Sequence, residues 1–300
     1  MAHIRVRCVP WATTTTTVTK ESLPMPRPSR PAHSATVTGT SRISRDMVRV
    51  TLSCESLPYS ELNHTDHYVK LFFPPAGASY SWPFDPAKVR EELPREEWPV
   101  TRTYTLRSWD ADAQTVDIDF VSHGDTGLAG PWADAARPGD QIGFMGPGGA
   151  WHPDGPHIVF AGDEAAAPAI FAGIEALPQD ATAEAWIEVA DAEAHLPTPS
   201  HPGVAIHWVN RDGATHGTEL VRAVTEAGVP SGDTRWFIHG VAEMIRDLRR
   251  FLFVENGVPK SEVSISGYWR LGMVEDEWQA SKREFNEEIE ASEAQAAANR

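Results

Sequence analysis

Gly146-Pro147-Gly148-Gly149-Ala150-Trp151-His152-Pro153-Asp154-Gly155-Pro156-His157-Ile158-Val159-Phe160-Ala161 divides the chain into two rhythms. The first part of this stretch is rich in residues that break helices and sheet interiors; the last part is a short apolar run. Beyond it, apolar runs over residues 157–161, 185–190, 205–209, 235–239 and 263–268 alternate with helical stretches over 164–177, 218–227 and 241–255. Short apolar strands separated by helices indicate a mainly parallel sheet covered on both faces.

Before the divide the rhythm is that of strands. β-branched and alternating residues over 34–40, 47–52, 66–73, 102–109, 115–121 and 141–145 predict strands, with one short helix over 128–136. A Pro- and charge-rich stretch over 77–99 reads as an insertion or long loop. Many short, closely spaced strands indicate an antiparallel β-barrel. The expected fold class is therefore a β-barrel domain (33–150) followed by an α/β domain (151–282). A Thr- and Pro-rich leader over 1–32 is expected to be disordered, and residues 283–300 to form a charged tail, a solvated helix that frays.

Composition narrows the function. The 26 Lys and Arg stand against 42 Asp and Glu, a net charge of −16. Such a balance argues against nucleic acid and against anionic membranes as partners. Two cysteines, Cys8 and Cys54, support neither a disulfide framework nor a thiolate metal site, and the scattered histidines show no ligand spacing. Without an apolar run long enough to span a bilayer or a cleavable signal, the expectation is a cytoplasmic protein, and a monomer.

Two segments carry chemistry. In Arg102-Thr103-Tyr104-Thr105-Leu106-Arg107, read as a strand, Arg102 and Tyr104 share one face, and Thr103, Thr105 and Arg107 the other. Forked donors, an aromatic plate and small hydroxyls suit a planar, phosphate-bearing ligand; an edge strand with surface cations has the same composition. In Asp119-Phe120-Val121-Ser122-His123-Gly124-Asp125-Thr126-Gly127-Leu128-Ala129 a strand runs through a glycine turn into a helix, whose first N–H groups can receive an anion.

Together these segments resemble the FAD-binding barrel of the siderophore-interacting protein family, within the ferredoxin–NADP reductase superfamily. The pattern is Arg-x-Tyr-Thr-x-Arg, then Asp-Phe-Val-x-His-Gly leading to a Trp, here Trp132; the resemblance continues through Gly162-Asp163-Glu164, Gly240 and Gly267-Tyr268-Trp269-Arg270. Proline is missing from Gly127-Leu128-Ala129-Gly130, and Ala165 stands where Thr is common. The resemblance implies an N-terminal FAD-binding barrel and a nucleotide-binding α/β half. It assigns Arg102 to the pyrophosphate, Tyr104 to the isoalloxazine face and Thr105 to flavin N5, with Tyr104 and Thr105 the residues at the chemistry. His123 and Gly124 would hold the adenosine side, and Gly127, Leu128, Ala129 and Trp132 complete the cofactor set. Asp163, Glu164, Gly240, Glu243 and Trp269 would line the nicotinamide side. Lys70, Arg270 and Lys282 would form a basic mouth for an anionic ferric siderophore.

The implied activity is NAD(P)H-dependent, FAD-mediated reduction of ferric siderophores, releasing Fe(II) for iron assimilation, with no metal site in the protein itself. A general flavin or electron-transfer reductase, and a flavin-containing siderophore-binding protein without turnover, are the alternatives. Glu188 and Asp191, after the second strand of the α/β half, favour NADH by accepting ribose hydroxyls; Arg211, after the third, favours NADPH. The sequence leaves both open.

Overall fold

The computed structural model describes residues 32–122, 124 and 127–298. The expected leader, Cys8 and His123 therefore lie outside the described residues, apart from Ala32. The first half forms one seven-stranded sheet from β1 (Ala32–Ser44), β2 (Met47–Ser53), β3 (Tyr68–Phe73), β4 (Val100–Thr105), β5 (Ser108–Asp110), β6 (Thr115–Val121) and β7 (Gln141–Gly148). Its order is β4-β3-β7-β1-β2-β6-β5 and every ladder is antiparallel. The period of two is plain in β2, where Val48, Val50 and Leu52 are buried while Arg49 and Thr51 between them are not. These join Val69, Leu71, Ile118, Phe120 and Phe144 in one core.

The expected barrel is an open ladder whose edges the chain itself connects. β4 and β5 stand at opposite edges, yet Ser108 is three residues after Thr105. At the bend between them, the Leu106 N–H donates to the His67 carbonyl and the Arg107 N–H to the Asp117 carbonyl, both at 2.8 Å. The strand expected over 102–109 is thus two strands, one pairing with β3 and the other with β6.

The insertion over 77–99 is folded. Asp85 caps α1 (Pro86–Glu92), with Pro86 in its first turn. The Trp82 ring stacks on Phe72 with centroids 6.0 Å apart and covers Gly143, where a Cβ would lie 2.1 Å from the indole. A short helix, α2 (Ala129–Ala135), packs Ala129 and Ala133 on the antiparallel core.

The second half is a five-stranded parallel sheet of β8 (His157–Gly162), β9 (Thr182–Val189), β10 (Val204–Asn210), β11 (Thr234–Val241) and β12 (Val263–Trp269), ordered β10-β9-β8-β11-β12. The direction of winding reverses beside central β8, a switch point of the kind where open α/β sheets bind ligands. Helix α3 (Ala167–Glu175) buries Ile170, Phe171 and Ile174 on one face of the sheet. Helices α4 (Thr218–Ala227) and α5 (Ala242–Arg249), the latter continued by a π-helical turn to Glu255, cover the other. Met47, from β2, is buried among the residues of the α3 face, so the two cores meet.

The C-terminal residues depart from expectation. Helix α6 (Glu275–Ala298) is docked rather than solvated. Trp278, Phe285 and Ile289 are spaced by seven and four residues, one helical stripe, and are buried with Ala242. Near the far end the buried Glu293 accepts from Arg249 and Lys260, each at 2.7 Å. Among the described residues no helix is long and apolar enough to cross a membrane. Phe285→Ala should destabilise the protein by about 3 kcal/mol and speed protease cleavage within α6; urea unfolding and limited proteolysis measure both, whereas a solvated tail would show neither effect.

Candidate functional site

A cleft of about 790 Å³ opens between the β3–β4 face, the C-terminal ends of β8, β9, β11 and β12, and α6. That size lies within the range of small-molecule and cofactor sites. Its floor is fixed by Asp163, in the turn after β8. The buried carboxylate accepts from the Trp269 indole N–H at 2.8 Å, the Val241 N–H at 2.9 Å and the Ala165 N–H at 3.0 Å. One side chain thereby ties together the ends of β8, β11 and β12. Gly240 permits this approach: its φ is +142°, and a Cβ there would sit 2.8 Å from the Asp163 carboxyl. Burial, and then the charge of Glu164, push the Asp163 carboxyl up to about 7, against the lowering effect of the Trp269 bond. Helix α3 starts at Ala167 rather than at the expected 164 because the preceding residues form this turn.

On the antiparallel side, β3 and β4 pair Tyr68 with Thr105 and Lys70 with Thr103, which sets these four on one face toward the cleft. Tyr104 also reaches the cleft, its ring 4.4 Å from Phe120 at the rim of the core. Burial, then the charge of Glu275, raise the Tyr104 phenol well above its ordinary value, so it stays protonated. The Thr105 hydroxyl and the Lys70 ammonium have no partner among the described residues. In the facing wall His239 packs against Phe237 and Tyr268, and its Nε2 lies 3.1 Å from the Ser264 hydroxyl. Burial, helped by Lys282, lowers this histidine to about 3 and keeps it neutral.

The three expected mouth cations line the same cleft. Lys282 donates to the Ser266 hydroxyl at 2.9 Å and the Gly267 carbonyl at 2.8 Å. Burial and then Lys70 lower its pKa, while Glu275 offsets part of that. Arg270 lies over the Phe285 ring, 4.8 Å from its centroid, and 3.5 Å from Glu243.

Other residues have occupations that the sequence did not disclose. Arg102 donates to the Thr101 carbonyl at 2.8 Å and to Asp276 at 3.3 Å, and is not among the cleft-lining residues. Trp132 packs between Phe73 and Phe120 at the rim of the antiparallel core. Gly124 and Gly127 have φ of +69° and +85°, conformations that favour glycine; Leu128 is exposed and Ala129 buried. Glu188 is fully buried, accepting from the Gly217 and Leu220 N–H groups at 2.8 and 3.1 Å, which caps α4. Arg211 is held by both oxygens of Glu164 and by Glu188 at 3.4 Å. Asp191 pairs with Arg45 at 2.8 Å. Neither ribose-reading alternative thus has a free side chain at these positions.

Glu275, Tyr268 and His239 line the cleft without having been singled out from the sequence. Only the Gly267-Tyr268-Trp269-Arg270 motif gave a signal, for Tyr268. Among the described residues no group of three His, Cys, Asp or Glu side chains is arranged to hold a metal ion.

The fold is of the ferredoxin-reductase class, an antiparallel sheet joined to a parallel one. Residues 36–151 match the siderophore-interacting FAD-binding domain, and residues 155–272 match the siderophore-interacting protein model. An uncharacterized protein of Mycobacterium tuberculosis is 38% identical over 275 residues, covering 86% of this chain and 97% of that one. Ferric vibriobactin reductase ViuB of Vibrio cholerae is 31% identical over 256 residues, 78% of this chain and 88% of the relative. The crystal structure of a siderophore utilization protein from T. fusca superposes with a TM-score of 0.70 at 32% identity, covering 81% of this chain and 94% of that one. The chain belongs to the siderophore-interacting protein family.

Asp163 binds its proton more tightly folded than unfolded, so the stability it confers is complete below its ordinary value of 3.8 and is lost as pH rises toward about 7. Over that window the wild type should lose roughly 2–4 kcal/mol relative to Asp163→Asn. Urea unfolding of both proteins across the pH range checks this; parallel pH profiles would refute it.

Proposed function

We propose that this protein is an FAD-dependent reductase that takes electrons from NADH or NADPH and reduces ferric siderophores, freeing Fe(II) for iron assimilation. The observation that carries the reading is one cleft in which Tyr104 and the Thr105 hydroxyl, which has no partner among the described residues, face the ends of the parallel strands, with Lys70, Arg270 and Lys282 along the same walls. Such donors and cations fit a polar aromatic cofactor and an anionic substrate. Family membership and the FAD-binding domain match over residues 36–151 support the same cofactor. The reading assigns residues 33–150 to FAD, residues 151–282 to the nicotinamide, and the protein to the cytoplasm as a monomer.

When bound, FAD supplies a chemistry that side chains lack, accepting two electrons together and releasing them singly. The chain's own residues orient, neutralise and exclude water. Tyr104, kept protonated, offers a flat apolar face to the isoalloxazine. The Thr105 hydroxyl, which has no partner among the described residues to give up, would donate a hydrogen bond to N5. Arg102 would hold pyrophosphate by giving up its contact with Asp276, whose side chain is 60% exposed, so the pair is weak and readily exchanged. His123, Gly124, Gly127, Leu128 and Ala129 would take the remaining phosphate and adenosine contacts, with Trp132 supporting them from the core. Asp163, Gly240 and Trp269 set the shape of the nicotinamide floor, while Glu164 and Glu243 stand at its rim. His239, kept neutral, adds no charge of its own to this wall. The mouth cations hold the oxygen-rich chelate near the flavin edge; iron stays in its chelator until reduction weakens the hard-oxygen bonds.

Protein loaded with FAD is expected to turn over NADH or NADPH with a ferric siderophore and to deliver iron to an Fe(II) trap. Thr105→Ala should slow flavin bleaching by the nicotinamide roughly ten- to hundredfold while FAD binding persists, as stopped-flow absorbance would show. Failure to take up FAD would remove the reading. Efficient reduction of free flavin with no trapped Fe(II) would replace it with a general flavin reductase.

A further inference from the structure

The basic mouth contains a carboxylate of its own. Glu275, the first residue of α6, accepts the Thr103 N–H at 3.1 and 3.0 Å and the Thr103 hydroxyl at 2.5 Å. β4 is an edge strand, so an N–H on its outer side needs a partner from beyond the ladder. Thr103 stands directly across from Lys70, on the same face. The charge of Glu275 is felt by both Lys282 and Tyr104. An amide N–H, a hydroxyl and neighbouring ammonium groups form the donor set that an anionic oxygen seeks, and here the oxygen is supplied by the protein.

Docking of α6 does not require this contact, because Trp278, Phe285 and Ile289 and the Glu293 pairs hold the helix along its length. The connection before it carries Gly272 at φ +71°, where a Cβ would meet nothing within 4 Å, and the exposed Met273 and Val274.

Resting on the reading that this mouth receives ferric chelates, we propose that Glu275 is a specificity-determining residue. Its carboxylate is an internal surrogate for a chelate oxygen. A strongly anionic chelate must displace it to reach the Thr103 donors, whereas an uncharged chelate gains nothing from doing so. Glu275 therefore sets how much negative charge the mouth accepts.

Redox-inert gallium chelates separate binding from turnover. Quenching of tryptophan fluorescence, with Trp269 and Trp278 in the cleft wall, reports their binding to oxidised, FAD-loaded protein without nucleotide. Glu275→Gln, which keeps an oxygen for Thr103 but removes the charge, should bind a triply anionic gallium tris-catecholate about fivefold or more tightly than wild type at low salt. That gain should shrink at about 0.5 M salt, and an uncharged gallium trihydroxamate should bind both proteins alike. Glu277→Gln, an exposed charge lost from the same helical turn, should change neither chelate. Equal effects of the two variants, or weaker binding of both chelates to Glu275→Gln, would overturn the proposal and leave the reductase reading standing. Wild-type protein that binds neither chelate would overturn both.

Discussion

The architecture of the cleft depends on a buried carboxylate that has three N–H donors and little water. Asp163 receives hydrogen bonds from Ala165, Val241 and Trp269, which belong to three different strand-end segments. A buried acceptor left unmatched is costly, so each segment is held in one register relative to the others. The absence of a side chain at Gly240 is the complementary condition. Together they explain why an acid stands at the turn after β8 and a glycine near the end of β11, and why Trp269 presents its indole edge inward and its ring to the cleft.

A second set of constraints joins the two sheets. Arg107, beside the bend between β4 and β5, forms a bidentate pair with Glu175 at the end of α3, both contacts at 2.7 Å. Its side chain is 8% exposed, while that of Glu175 is half exposed, so the pair retains solvent on one side and escapes the full desolvation cost of a buried bridge. Because Arg107 is two residues from Thr105, the anchoring of this segment to α3 also fixes the hydroxyl that faces the strand ends. The same short stretch of chain thus connects the sheet edges, ties the halves together and presents the site.

Much of this was legible before the structure, for reasons specific to each element. The parallel sheet was readable because central strands such as β8 are buried on both faces and appear as unbroken apolar runs. Helix α4 was readable end to end because Gly217 and Gly228 bound it. The open ladder was not, since a two-residue bend at Leu106 and Arg107 leaves no compositional trace. Helix α6 misled because its many exposed glutamates mask three apolar residues at the spacing of one face. At the site, the mouth cations and the Tyr104–Thr105 pair followed from motifs. The engagement of Arg102 by Asp276, of Arg211 by Glu164 and Glu188 and of Thr103 by Glu275 depends on partners 174, 47, 23 and 172 residues away in turn. No local pattern encodes contacts of that range.

Met47 has a consequence of its own. It starts a strand of the antiparallel sheet but spends its side chain in the hydrophobic interior beneath α3. The halves therefore share filling, as adjoining stones share mortar, and are not freely interchangeable modules. A chimera that grafted this antiparallel half onto a foreign parallel half would confront that methionine with a surface shaped for something else, and would need its seam redesigned before its chemistry.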